Sequence, residues 1–117
     1  MLNNTPRDIT RDPDFASGEK MENALIDLIK FKSITGNKTE IKKVYDYIEN
    51  LFSKDVFDCE YLENEGVVSQ IIYFKGANWR KAKLLLSGHI DVVPAEDKEF
   101  VPRIEGNKIY GRGTADM

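Results

Sequence analysis

The chain is poor in the residues that build cross-links. It has one cysteine and one histidine in 117 residues. A lone cysteine, Cys59, excludes an internal disulfide framework and any zinc site made of several thiolates, and it makes a reduced, cytoplasmic setting the default. A cysteine–histidine nucleophile pair would have to join Cys59 to His89, and nothing local supports it. No apolar stretch approaches the length needed to span a bilayer, so no membrane partner is expected. The opening MLNNTPRDITRDPDFASGEK lacks the apolar region of a secretory signal and reads as a flexible lead-in over residues 1–18. Charge of one sign is also missing. The 17 Lys and Arg and 20 Asp and Glu leave a net charge of −3, too mild to imply nucleic acid. The basic groups Lys30/Lys32, Lys42/Lys43 and Arg80/Lys81/Lys83 read as solvated faces.

What is present suits one small domain or a piece of a larger one: 41% of residues are hydrophobic and 32% charged, enough to bury a core and keep a wet surface. Met21, Leu25, Leu28 and Ile29 recur at helical spacing and predict a helix from Ser17 or Glu19 to about Ser33. Thr35-Gly36-Asn37 breaks it. Asn37 caps a second helix, with Glu40 in the capping-box position, and Ile41, Val44, Tyr45, Ile48, Leu51 and Phe52 form its apolar stripe. After Phe52 the period changes to two. Phe57, Cys59 and Tyr61 alternate with Asp58 and Glu60, predicting a strand with one wet face on which Cys59 is a packed residue. VVSQIIYF, 67–74, is a second strand, and Trp79 in the following loop is expected to pack back on the sheet. AKLLLS, 82–87, is apolar without alternation and predicts a strand covered on both sides. RIEGNKIYGRG predicts two short strands around Gly106-Asn107. The order indicates an α/β layered domain, without internal repeats or low-complexity segments.

Two motifs carry chemistry. In LLLSGHIDVVP, 84–94, a strand ends in His89-x-Asp91. Side chains at i and i+2 share a face, so an imidazole can offer one ring nitrogen to a metal while the carboxylate two residues on accepts from the other. That bond selects the tautomer and makes the free nitrogen more basic. The bland alternative is a polar residue capping a strand. In GRGTADM, 111–117, Gly111 and Gly113 allow a tight loop and Asp116 falls where a helix could begin. Asp116 then reads as a helix cap, or as a carboxylate whose two oxygens bridge two cations. A phosphate loop fits poorly, since the third glycine of a dinucleotide fingerprint is absent.

Together LLLSGHIDVVP and IEGNKIYGRGTADM resemble the amino-terminal signature of the two-zinc exopeptidase and deacylase family, which includes acetylornithine deacetylase, succinyl-diaminopimelate desuccinylase, aminoacylase and carboxypeptidase G. The resemblance runs over roughly residues 22–117, and ALIDLIKFKSITGNKTEIKKVYDYIENLF is similar to that family's first two helices. The DVVP form leans toward the deacylase, desuccinylase and carboxypeptidase branch. The family's tryptophan and PF pair between the motifs are replaced by AEDKEFVPRIEG, where Phe100 and Pro102 stand in part for them. A different co-catalytic zinc aminopeptidase family also uses His-x-Asp, but it usually lacks GRG before its bridging aspartate.

The resemblance implies that residues 19–117 are the amino-terminal part of a three-layer α/β/α catalytic domain with a mixed sheet, incomplete here. It implies His89 as a terminal zinc ligand, Asp91 as the catalytic carboxylate that orients it, and Asp116 as the bridge between two Zn2+ ions, with Co2+ or Mn2+ as substitutes. The Asp116–Met117 peptide bond would be cis. The substrate would be an N-acyl amino acid or short peptide cleaved at its amide bond. The catalytic glutamate, the remaining ligands and a domain through which homodimers form would lie outside these residues. On that basis the isolated chain is expected to bind zinc weakly and hydrolyse nothing. The rival expectation is a truncated subdomain that acts only as a packing or interaction module.

Overall fold

The structure, a computed structural model, describes residues 18–116. The expected lead-in over residues 1–17 and the Asp116–Met117 bond lie outside the described residues, and Gly18, read as lead-in, opens the first helix. Helix α1 covers Gly18–Ile29. Ile29 is buried while Met21 is 60% exposed and Leu25 and Leu28 are half-buried, so the apolar stripe is fully covered only at its carboxyl end. The helix stops at Ile29 rather than near Ser33. The N–H groups of Lys30 and Phe31 reach back to the carbonyls of Asp27 and Leu28 in a tightened last turn, at 3.2 Å each. The backbone of Ser33 and Thr35 then pairs with a distant segment instead of continuing the helix.

Helix α2 covers Lys38–Leu51. Asn37 caps it as expected, its side-chain oxygen accepting the Glu40 N–H at 3.2 Å. The reciprocal half of the capping box does not form. The Glu40 carboxylate takes the Lys32 N–H at 3.3 Å and the Lys43 ammonium at 2.5 Å, and the Asn37 N–H goes to the Ile34 carbonyl at 2.8 Å. Val44 is fully buried at the centre of the stripe. Leu51, at 51% exposure, has run off the packed surface. The two helices are joined by Phe31 and Tyr47, whose ring centroids are 5.7 Å apart, and by the Tyr47 hydroxyl, which donates to Asp27 at 2.9 Å. Burial together with that bond pushes the Tyr47 hydroxyl up to about 12, and the same bond holds the Asp27 carboxyl below its usual range.

Strands β1 (Phe57–Asn64) and β2 (Val67–Phe74) form an antiparallel hairpin with Phe57 opposite Phe74 and Asn64 opposite Val67. Glu65 and Gly66 both take positive φ, 50° and 80°, which matches the turn to the twist of the strands. The face carrying Phe57, Cys59 and Tyr61 meets α2. Phe52 lies 5.1 Å from Phe57 and Tyr45 lies 6.0 Å from Tyr61, and the Tyr45 hydroxyl donates to the Val68 carbonyl at 2.6 Å. Cys59 is half-buried there, and burial raises its thiol. The opposite face is less wet than the alternation suggests. Lys75 reaches Asp58 at 3.1 Å, and the Trp79 indole N–H donates to Glu60. Trp79 thus packs back on the hairpin as expected, held by a one-turn 3-10 helix, Trp79–Lys81.

Residues 82–87 are not a strand. They run without ladder partners among the described residues, and Leu84, Leu85 and Leu86 are 75%, 76% and 85% exposed. Apolar sequence alone does not make a strand; its backbone groups need a neighbour on each side. After a second 3-10 turn, Asp97–Phe100, strands β3 (Arg103–Glu105) and β4 (Lys108–Tyr110) pair as a hairpin about Gly106 and Asn107, with Ile104 opposite Ile109. The pairing among the described residues is thus both antiparallel, in two hairpins, and parallel, in one isolated bridge between Ile34 and Val92. The α/β class is as expected. Among the described residues the buried apolar side chains are Ile29, Val44 and Phe100.

Candidate metal centre

The site is assembled around the parallel bridge. The Val92 N–H donates to the Ser33 carbonyl at 2.9 Å, and the Thr35 N–H donates to the Val92 carbonyl at 3.0 Å. Ser33 is itself buried, 3% exposed, and its hydroxyl donates to the Ile90 carbonyl at 2.9 Å. The loop between α1 and α2 therefore grips residues 90–92 by backbone and side chain together. This grip is why α1 ends early and why the stretch that follows the bare leucines is ordered at its far end.

The glycine loop closes on the same bridge from the other side. A Cβ on Gly111 would sit 2.5 Å from Cγ2 of Ile29. A Cβ on Gly113, which has φ of 89°, would sit 2.8 Å from Cγ1 of Val92. Both glycines are needed for close packing, one on the end of α1 and one on the bridge. The Arg112 N–H donates to the Glu99 carbonyl at 2.8 Å, tying the loop to the turn whose Phe100 is buried. The loop then turns through Thr114, whose N–H and hydroxyl both reach the Gly111 carbonyl, at 3.3 and 2.9 Å. Asp116 follows, its N–H on the Gly113 carbonyl at 3.3 Å. Residues 112–115 are in turns, and a helix beginning at Asp116 would lie outside the described residues.

His89, Asp91 and Asp116 meet. Nδ1 of His89 is 3.0 Å from the Asp91 carbonyl oxygen and 3.1 Å from its Oδ1, and Nε2 is 3.6 Å from Oδ2 of Asp116. The other oxygen of Asp91 accepts the Thr35 hydroxyl at 2.6 Å. That bond is the main cause holding the Asp91 carboxyl below its usual range, with the partial burial of the group opposing it and the His89 ring adding to it. Both neighbours of Nδ1 are acceptors, so Nδ1 carries the proton of the neutral ring. Nε2 then presents a lone pair to a carboxylate oxygen. Two electron-pair donors at that separation, 3.6 Å, can share a cation placed between them.

A divalent cation fits the donor set. Zinc binds imidazole nitrogen at about 2.0–2.1 Å and carboxylate oxygen at about 2.0–2.2 Å, and two such bonds at a tetrahedral angle end about 3.4 Å apart. The Asp116 side chain is 81% exposed. No group of three or more His, Cys, Asp or Glu side chains able to hold a metal occurs among the described residues, so His89 and Asp116 are two donors of a set that needs more. Beside them a groove of about 780 Å³ runs along α2 and β2, bordered by Thr35, Tyr45, Tyr61, Val68, His89 and Asp91, a size that admits a small organic molecule.

The sequence offers His89, Asp91 and Asp116 as candidates, and the structure adds Ser33 and Thr35 beside them through their hydroxyl bonds to Ile90 and Asp91. The signal was Ser33-Ile34-Thr35, two hydroxyls at i and i+2 directly after a helix, which puts both on one side of an extended segment. By spacing alone Ser33 reads as the end of the first helix and Thr35 as the first residue of the break after it.

Comparison with known proteins places these features in a family. Residues 85–117 match the model of "Peptidase family M20/M25/M40", the stretch that holds the His89–Asp91 pair and the glycine loop. The chain is 37% identical over 98 residues to the succinyl-diaminopimelate desuccinylase of Wolbachia pipientis wMel, covering 77% of this chain and 23% of that protein. It is 43% identical over 68 residues to the succinyl-diaminopimelate desuccinylase of Burkholderia ambifaria (strain MC40-6), covering 52% and 18%. It is 34% identical over 98 residues to that of Sulfurovum sp. (strain NBC37-1), covering 80% and 24%. The chain spans about a quarter or less of the length of these curated relatives.

Proposed function

Because the chain belongs to peptidase family M20/M25/M40, we propose that its residues form the amino-terminal metal-binding part of a di-zinc hydrolase that cleaves the amide bond of N-acyl amino acids, with N-succinyl-diaminopimelate as the leading substrate and short peptides as the alternative. Three relatives bearing the name succinyl-diaminopimelate desuccinylase support the substrate. The observation that carries the reading is the convergence of a lone-pair nitrogen and a carboxylate, His89 Nε2 and Asp116 Oδ2, at 3.6 Å.

In this reading His89, through Nε2, and Asp116, through its carboxylate, are the residues of this chain that would hold the metal. Bound there, zinc would act as a Lewis acid and lower the pKa of a water toward about 7. Asp91 keeps the proton on Nδ1 and, by drawing on that N–H, makes Nε2 a stronger donor. A glutamate outside residues 1–117 would take the proton of the attacking water, by resemblance to the family. Cobalt or manganese could take the place of zinc with these donors.

The test is release of free amine from N-succinyl-diaminopimelate and N-acetylornithine by the longest polypeptide that carries these 117 residues. Hydrolysis lost at least a hundredfold in His89→Ala is expected, and undiminished hydrolysis in that variant overturns the assignment. A second reading, a chain that by itself acts only as a packing or interaction module, draws on the fact that His89 and Asp116 supply fewer than the three protein ligands a catalytic zinc ordinarily has. It expects the 117-residue chain alone to bind zinc more weakly than micromolar and to hydrolyse neither compound, and amine release by that chain would exclude it. No helix among the described residues is long and apolar enough to cross a membrane.

A further inference from the structure

Thr35 stands at one end of an unbroken polar path that ends on the ligand nitrogen. Its hydroxyl donates to Oδ2 of Asp91 at 2.6 Å, Oδ1 of Asp91 faces Nδ1 of His89 at 3.1 Å, and Nε2 of the same ring faces Asp116 at 3.6 Å. A carboxylate's last torsion is broad and nearly two-fold, so Asp91 left to itself can turn its oxygens away from the ring. Thr35 removes that freedom. Its own χ1 is restricted by β-branching, and its backbone is held by the N–H bond to the Val92 carbonyl and by the buried Ser33 two residues before it.

We propose that Thr35 is a positioning residue: through Asp91 it holds His89 in the Nδ1–H tautomer, so that the Nε2 lone pair is presented toward Asp116. The bearing of this on catalysis rests on reading His89 as a metal ligand; the tautomer itself does not. The Asp91 carbonyl, 3.0 Å from Nδ1, favours the same tautomer alone, so loss of Thr35 shifts the balance and does not invert it.

His89 is the only histidine of the chain, which makes its ring nitrogens directly readable by long-range proton–nitrogen correlation on the uniformly labelled 117-residue chain. The measurement is made without metal, at a pH where the ring is neutral. The wild type is expected to show a protonated Nδ1 and a bare Nε2. Thr35→Val should raise the minor Nε2–H tautomer roughly fivefold, the effect of about one net hydrogen bond. Thr35→Ser should restore the wild-type ratio, and Ser33→Ala, which loosens the same loop without touching Asp91, should leave it within about twofold.

A wild-type ring that carries its proton on Nε2 overturns the proposal whatever the variants do, including a Thr35→Val chain that does not fold. So does a folded Thr35→Val chain with the wild-type ratio, or a Ser33→Ala chain that shifts as far as Thr35→Val. Zinc is then titrated into the wild type to millimolar concentration. A Nε2 signal that moves supports His89 as a ligand. A Nε2 signal that stays in place overturns the metal reading and leaves the tautomer result standing on its own.

Discussion

Residues 84–86 and 90–92 belong to one uninterrupted stretch, yet they live in opposite conditions. Leu84, Leu85 and Leu86 are the most apolar run of the chain and are three-quarters or more exposed. Ile90, Asp91 and Val92 are more mixed in character and are held on both flanks, by Ser33 and Thr35 on one side and by Gly113 against Val92 on the other. The difference is the supply of partners. Backbone N–H and C=O groups are ordered by what accepts and donates to them, and the α1–α2 loop reaches 90–92 but not 84–86. Hydrophobic composition tells how well a segment would pack against a neighbour, not whether the neighbour is there.

Three changes break or sharpen that contrast. Gly113→Ala attacks the gripped half directly. It places a Cβ at a φ of 89° and 2.8 Å from Val92, combining a strained backbone with an overpacked contact, and should cost about 3 kcal/mol of stability in chemical denaturation. A loss under about 0.5 kcal/mol would mean that the glycine loop is not seated on the bridge in solution.

Tyr47→Phe strikes the helix pair, which neither half touches, and should cost about 1 kcal/mol near neutral pH. Its sharper signature is in pH. Asp27 has a lowered folded-state value, so its bond to Tyr47 stabilises above the ordinary aspartate range and is lost as pH falls through the lowered value. Tyr47 is pushed up to about 12, so the same bond stabilises below the ordinary tyrosine value of about 10 and is lost as pH climbs from there toward 12. Stability measured against pH should flatten at both ends in the Phe variant, and unchanged acid and alkaline limbs would contradict the bond.

Leu85→Ser probes the bare half and should change stability by no more than about 0.5 kcal/mol. A loss above roughly 1.5 kcal/mol would show that Leu85 is packed in solution and would erase the contrast.

The local features of the chain were legible. Asn37 capping α2, the stripe centred on Val44, the α2-facing side of β1 and the turn at Gly106-Asn107 all depend on neighbours within a few residues, and each was readable from spacing and turn chemistry. His89, Asp91 and Asp116 were legible as a set through their two motifs, and the structure brings the three together at 3.0 to 3.6 Å. What failed was long-range. The end of α1 was misread because Ser33 and Thr35 pair with residues nearly sixty positions away. The apolar run 82–87 predicts a strand, but apolar character does not supply partners, and none pairs with it among the described residues. The shape of the glycine loop was not legible either, because it is set by Ile29 and Val92, which its own sequence does not contain.

By itself, then, the sequence determined the two helices and the two hairpins and singled out His89, Asp91 and Asp116 as candidates, since period, caps and short motifs act over a few residues. Only the tertiary structure decided that a serine and a threonine in a helix break would grip the His-x-Asp segment, and that two glycines would carry an aspartate to its histidine. Those outcomes depend on contacts between residues far apart in the chain, whose formation is a matter of shape and available partners rather than of local preference.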